Sequence, residues 1–452
     1  MADIILDQEN HAHIRVWTTE AIERELSDEF SFEVPGFDFM KKKNRHWDGR
    51  IKLFNRITKL IYAGLAPRIM EWATLQGYTI ESKIPRTTAE WTDTQTLSLF
   101  ASHPTPPDLS IRDYQQDAIT YGMHHQRCVL ISPTASGKSL ILYYLARARV
   151  AHGPVLVVVP TISLVSQMVE DWRGYGWDNV DQFVHRITGG VTKQTDKPIV
   201  VTTWQSVFKL PEDWFTRYRS ILGDECHLYK ATSLVGIMEK LPQCKFRVGV
   251  TGTLSEMKSN RLMVEGVFGV PYQVARTAEL QQRGHLTPIS VQGHFLQYDA
   301  TDRWHFREHV SAYAEELDFV VQHPGRMAWM VDFVNRLPGN VLVLYQFVEK
   351  HGIPLYREIK AKVGNSRPIY FVSGDVSADS RERVRALLEH EEHVILTFPA
   401  GDIRCTPTEA VALSNGLSVA AQDITPDTDV SDSWIAERFK ESPTLKGTLP
   451  NV

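Results

Sequence analysis

The stretch SPTASGKS, Ser132 to Ser139, lies between the apolar run CVLI and the helix-like LILYYLARA, and it limits the fold more tightly than any other segment. A strand that feeds a glycine-containing loop into a helix presents backbone N–H groups and the positive end of the helix to an anion, the arrangement that cradles a phosphate. Lys138 supplies a compact ammonium against that charge, and the Ser139 hydroxyl is placed to ligate Mg²⁺. Thr134, Ala135, Ser136 and Gly137 complete the loop. Ser132 stands where such loops begin with glycine, so the reading rests on Gly137, Lys138, Ser139 and the flanking elements. The bland alternative is a chance G-K-S in a surface loop.

Around this loop, from Asp108 to about Gly284, short β-branched runs (VLVVVP, IVVTT, SILGDE, FRVGVTG) alternate with longer amphipathic stretches. Runs of this kind predict strands buried on both faces of a parallel sheet, hence an α/β domain. The plan repeats in VLVLYQFV, PIYFVSG and HVILTF. After Phe398 it stops: residues 398–452 hold eight Asp or Glu, four Lys or Arg and five Pro, and read as a loop or disordered tail.

Two further elements carry chemistry. DECH, Asp224 to His227, ends an apolar run, where Asp224 would hold Mg²⁺ and Glu225 would orient and deprotonate an attacking water; capping of a following helix is the plainer role. TGT, Thr251 to Thr253, ends the next run; its hydroxyls could sense hydrolysis or form a turn.

Residues 1–103 form a separate first segment, closed by Pro104, Pro106 and Pro107, which disfavour helix at the residues before them. Within it, residues 41–59 hold eight Lys or Arg against one Asp. Lys41, Lys42, Lys43, Arg45, Arg50 and Lys52, with Trp47 among them, form either a solvated basic face or a surface that tracks phosphates and stacks bases. Trp47 beside Asp48 and Gly49 could equally pack under a turn. The net charge of −5 neither requires nor excludes nucleic acid. Composition excludes collagenous, disordered and disulfide-scaffold classes: 43% of residues are hydrophobic, and the four cysteines show no metal or scaffold spacing. No apolar run approaches the roughly 20 residues of a membrane span, and the N-terminus lacks a secretory signal, so the cytoplasm is expected, the host's if the gene is phage-borne.

Over residues 110–397 these motifs resemble superfamily 2 helicases. RDYQ resembles the adenine-side motif, which implies roles for Arg112 and Gln115 at ATP. VVVPTISLVSQM, the pair Gly189 and Gly190, and VTTWQS resemble the motifs that contact the nucleic-acid backbone, implying such roles for Pro160, Thr161, Gly190 and Gln205. In the same family His227, Thr251, Gly252 and Thr253 couple hydrolysis to domain movement. VLVLYQFVEKHGIPLYREI and YFVSGDVSADSRERV resemble second-domain motifs. More narrowly, HWDGRI, DECH and TWQS resemble the UvsW-type DNA helicases of T4-like phages, which act in recombination, repair and replication on branched DNA and R-loops. The resemblance implies two RecA-like parallel-sheet domains, the second incomplete, behind a small α/β N-terminal domain: residues 1–103, 104–285 and 286–397, then the tail. It also implies ATP and Mg²⁺ as cofactors, forked, branched or R-loop DNA as partner with RNA in hybrids, and a monomer.

The family's arginine motif, Q-x-x-G-R-x-x-R, does not follow HVILT. QHPGRMAW, Gln322 to Trp329, precedes the repeat and reads as the entry to a helix. A truncated or frame-shifted version of a longer helicase is the corresponding expectation. Three functions stay open at this level: an ATP-driven DNA translocase, an ATP- and DNA-binding or strand-annealing protein with little hydrolysis, and an RNA helicase.

Overall fold

In the N-terminal module, β1 (Ile4–Gln8) and β2 (His13–Thr18) pair antiparallel, and Ile4, Leu6, Ile14 and Val16 alternate onto one buried face. β3 (Ser31–Glu33) and β4 (Arg50–Lys52) form a separate antiparallel ribbon. β5 (Leu60–Tyr62) joins β2, and β6 (Ile80–Ser82) runs parallel to β1, giving the order β5-β2-β1-β6. Helices Glu20–Glu29 and Ala66–Gln76 bring Ile22, Leu26, Ile69 and Ala73 into the same core. The computed structural model describes residues 2–33, 49–85, 91–229, 232–254, 258–286, 294–310, 312–373, 393–399 and 417–419. Residues 1–286 form one compact unit and residues 287–452 a second.

The module is fused to the nucleotide domain rather than hung from it. Leu262 of that domain belongs to the module's own core. Glu265, only 1% exposed, is held by Arg68 from the module and by Arg261 at 2.7 Å. Tyr62 donates to Glu239 at 2.8 Å. At Gly64 the backbones meet so closely that a Cβ would stand 2.1 Å from the Glu265 carbonyl oxygen and 2.6 Å from that of Gly266. Gly64→Ala should therefore destabilise this unit by about 1–3 kcal/mol, the usual scale for overpacking, because backbone cannot yield as a flexible side chain can. A thermal melt that matches the parent chain would show that the junction has slack.

The nucleotide domain is a seven-stranded sheet. Its strands are β7 (Arg127–Ile131), β8 (Val155–Val159), β9 (Val184–Ile187), β10 (Ile199–Thr203), β11 (Ser220–Asp224), β12 (Phe246–Thr251) and β13 (Pro271–Gln273). All pairs are parallel, in the order β13-β7-β12-β11-β8-β10-β9. Every residue of β8, β10 and β12 is buried, as expected for strands covered by helices on both faces. Helix Asp93–Ser102 lies before the proline boundary in sequence, yet it packs on this domain. Leu99 and Phe100 join the core, Thr96 bonds Thr120 at 2.8 Å, and the following His103 carbonyl accepts from Tyr144 at 2.9 Å.

The second unit also carries a parallel sheet: β14 (Asn340–Tyr345), β15 (Ile369–Phe371), β16 (Ile395–Pro399) and β17 (Leu417–Val419), in the order β15-β16-β14-β17. Helix Ile353–Val363 packs Leu355, Ile359 and Val363 against Val341, Val343 and Ile395. QHPGRMAW is a helix entry: His323 caps helix Pro324–Arg336 by accepting from the Arg326 N–H at 3.2 Å. Within 398–452, Phe398 and Pro399 finish β16 and Leu417–Val419 pairs with β14, so this part of the expected tail is strand. The remainder of 398–452, like the helix expected over SRERVRALLEHEE, falls outside the described residues. The fold class is thus the one the sequence implies: two RecA-like parallel-sheet domains, the second smaller, behind a small α/β module. Among the described residues no helix is long and apolar enough to cross a membrane.

Candidate nucleotide and nucleic-acid site

Parallel strands all point their carboxyl ends to one edge, and the residues singled out in the sequence stand at those ends. The phosphate loop follows β7, Asp224 and Glu225 close β11, and Thr251 ends β12. Along the same edge, Pro160 and Thr161 follow β8, Gly190 follows β9, and Gln205 follows β10.

The loop is shaped by backbone conformations that few residues accept. Ala135 has φ +63° and Gly137 φ +85°. A Cβ at Gly137 would stand 2.3 Å from Gln115 Nε2. Ser136 is buried; its N–H and its hydroxyl both donate to the Pro133 carbonyl, at 3.1 and 2.6 Å. The Ser132 N–H donates to the Thr251 carbonyl at 2.8 Å, tying the loop to the end of β12. Gln115 Nε2 donates to the Ser136 carbonyl at 2.8 Å and its Oε1 accepts from the Arg112 N–H at 3.0 Å. Tyr114, which sequence reasoning passed over, donates to the same carbonyl at 3.1 Å and accepts from Arg112 at 2.8 Å. Gln115 thus braces the loop from below.

Lys138 opens helix Lys138–Val150, is only 4% exposed, and places Nζ 2.6 Å from Glu225 Oε1. Glu225 turns at φ +47°, a strained value for a residue with a Cβ, of the kind that collects at functional sites. Its second oxygen lies 3.2 Å from His227 Nδ1, and His227 Nδ1 is 2.9 Å from the Thr251 hydroxyl. The Thr251 hydroxyl has two acceptors in reach, the Thr253 carbonyl at 2.9 Å and Glu225 Oε2 at 3.3 Å, and an Nδ1–H on His227 would serve both Glu225 and Thr251. Burial pushes the Glu225 carboxyl up, but the hydrogen bond from His227 and the charge and hydrogen bond of Lys138 outweigh it and bring it down to about 2. Burial, reinforced by the neighbouring Glu225 charge, pushes Asp224 up to about 6.

Ser139 Oγ donates to Asp171 Oδ2 at 2.9 Å, a contact absent from the motif reading. The signal was a carboxylate interrupting the apolar stripe Leu164, Met168, Tyr175 of one helix face. Ser139 on the loop and Asp224 at the β11 end carry hard oxygen donors of the kind Mg²⁺ takes, and the Lys138 charge suits a triphosphate. Gly252 lies against the loop: a Cβ there would be in ordinary van der Waals contact with Lys138 Nζ at 3.4 Å and Thr134 Oγ1 at 3.5 Å.

On the nucleic-acid side, Thr161 caps helix Ile162–Gly174, accepting from the Leu164 N–H at 3.4 Å. Gly190 (φ +80°) and Gln205 are exposed, and Pro160 is buried. Arg50 reaches Ser31 Oγ at 2.8 Å and lies beside Lys52 in β4. Lys41, Lys42, Lys43, Arg45 and Trp47 fall outside the described residues.

A parallel sheet whose carboxyl edge carries a phosphate loop, an Asp-Glu strand end and a Thr-Gly-Thr turn joined to it by histidine defines a P-loop nucleoside-triphosphatase of the superfamily 2 helicase class. Two family models match: DNA helicase UvsW, N-terminal, over residues 3–82, and type III restriction enzyme, res subunit, over residues 108–256. The crystal structure of the UvsW helicase from bacteriophage T4 superposes with a TM-score of 0.56 at 31% identity, over 60% of this chain and 99% of that one. A second structure of T4 UvsW gives 0.55 at 27% identity, over 88% and 80%. The ATP-dependent DNA helicase uvsW of Enterobacteria phage T4 is 29% identical over 418 residues, 88% of this chain and 81% of the relative. The DNA 3'-5' translocase XPB2 of Sulfurisphaera tokodaii is 30% identical over 146 residues, 32% of this chain and 31% of the relative. The chain belongs to the UvsW helicase family and is an ATP-dependent helicase.

Proposed function

We propose that this chain is an ATP-driven DNA translocase that acts on forked or branched DNA and R-loops in recombination, repair and replication of a phage genome. The observation that supports it best is the shared edge: nucleotide residues end β7, β11 and β12, and the segments assigned to the DNA backbone follow β8, β9 and β10 of the same sheet. Lys138 binds the β- and γ-phosphates of ATP, and Arg112 and Gln115 border the nucleotide. Ser139 and Asp224 would hold Mg²⁺, which when bound neutralises charge on the phosphate oxygens. Glu225 orients the attacking water and takes its proton. His227, Thr251, Gly252 and Thr253 link that carboxylate to the β12 end and so relay the state of the site. Pro160, Thr161, Gly190 and Gln205 grip the DNA backbone.

Phosphate release measured without nucleic acid, with single-stranded DNA, with forked DNA and with RNA of equal length tests this reading. Forked DNA should stimulate most. Stimulation by none of them would favour a binding or annealing protein, and stimulation by RNA above DNA an RNA helicase.

The basic segment has its own test. If Lys41, Lys42 and Lys43 track phosphates, changing all three to alanine should flatten the plot of log K against log salt for duplex DNA by about 2–3, since each contact contributes about 0.9. An unchanged slope assigns the lysines to solubility.

A further inference from the structure

We infer that Asp171 is a positioning residue that holds the Ser139 hydroxyl in the orientation a bound Mg²⁺ requires; the inference rests on the nucleotide-site reading above. A serine hydroxyl has one proton and two lone pairs, and only the lone pairs can face a cation. Three side chains surround Ser139 Oγ: Asp171 Oδ2 at 2.9 Å, Met168 Sδ at 3.7 Å, and Tyr175, whose hydroxyl also hydrogen-bonds to it. The carboxylate accepts a charge-assisted bond, whereas a thioether and a neutral phenol are weaker acceptors and the phenol can itself donate, so the proton goes to Asp171. That leaves a lone pair for the metal, with Tyr175 able to donate to the other, and raises the electron density on Oγ, as outer partners do for metal ligands in general.

Asp171 sits in helix Ile162–Gly174 between Met168 and Tyr175, at the edge of the buried face, where a carboxylate costs desolvation. The nearest guanidinium in sequence, Arg173, is committed elsewhere, to Glu170 and Asp181. Asp171 therefore points at the phosphate-loop serine and not into a surface ion pair. The same helix begins at Thr161, in the segment assigned to the DNA backbone, so one rigid element spans from that segment to the Mg²⁺ ligand.

The test uses the full chain and a fluorescent ATP analogue, titrated with Mg²⁺ and separately in EDTA. For Asp171→Ala the Mg²⁺ concentration at half-maximal binding should rise about 10–100-fold, the usual loss for an outer partner of a metal ligand, while affinity in EDTA stays within about twofold of the parent. Asp171→Asn, which keeps an acceptor oxygen, should recover most of the loss. Asp171→Glu should reproduce it, because its longer stem displaces the oxygen; this variant carries the test if Asp171→Ala does not fold. In a Ser139→Ala background, Asp171→Ala should add nothing. Equal losses with Mg²⁺ and in EDTA, or no rescue by asparagine, would overturn the proposal and leave Asp171 a packing residue. A parent chain that binds the analogue in neither condition would instead overturn the nucleotide-site reading beneath it.

Discussion

Lys138→Ala should abolish ATP turnover while the chain stays folded and still binds DNA. The ammonium is the main side-chain charge available to the β- and γ-phosphates, and hydrogen bonds to charged groups are worth about 1.5–3 kcal/mol, or roughly 10–150-fold in affinity. Loss of transition-state stabilisation comes on top of that weaker binding. The substitution also strips Glu225 of its 2.6 Å partner and leaves a half-buried carboxylate facing only His227 and the Thr251 hydroxyl. Phosphate release, a nucleotide titration and a thermal melt on one preparation separate these effects. A folded Lys138→Ala protein with parental turnover would remove the phosphate-loop assignment.

For Glu225→Gln the expected loss is in chemistry and not in binding. Hydrolysis should fall by about two to four orders of magnitude, the scale of a general base, while ATP affinity holds or improves because Lys138 is released from its ion pair. With its carboxyl near 2, Glu225 is a poor base in this arrangement. Movement of Lys138 onto a phosphate withdraws one of the charges that depress it and makes it more basic. One event therefore frees the phosphate clamp and sharpens the base. Matched losses of binding and turnover would assign Glu225 a structural role.

The parts of this site that were legible in the sequence are those written in contiguous residues. SPTASGKS, DECH and TGT each end an apolar run, and a run buried on both faces announces both its strand and its tip. The contact between Asp171 and Ser139 spans 32 positions and depends on which helix packs beside the loop, which no local pattern states. The resemblance implies a place for Gln115 at ATP; what no local pattern states is that the same amide also ties the Ser136 carbonyl to the Arg112 N–H, with one N–H left over. The proline cluster suggested a boundary at residue 104, but residues 1–286 form one compact unit, and helix Asp93–Ser102 packs on the nucleotide domain because Leu99 and Phe100 find their apolar partners there. The fusion of the N-terminal module was hidden for the same reason: Gly64 and Glu265 are informative only once their backbones touch.

That fusion sets how the module would be used. A domain on a flexible tether samples a volume, and its help to a second binding site is limited by the concentration the tether allows. The UvsW N-terminal region here has no such freedom, since Gly64 lies against the carbonyls of Glu265 and Gly266 and Arg68 is locked to a buried carboxylate. If the module grips duplex, as proposed, that duplex would arrive at the ATPase edge at a fixed offset, like the jaw of a caliper. The spacing between a fork and the translocating strand would then be a property of the protein, measured in nucleotides and unchanged by salt or temperature until the junction itself melts.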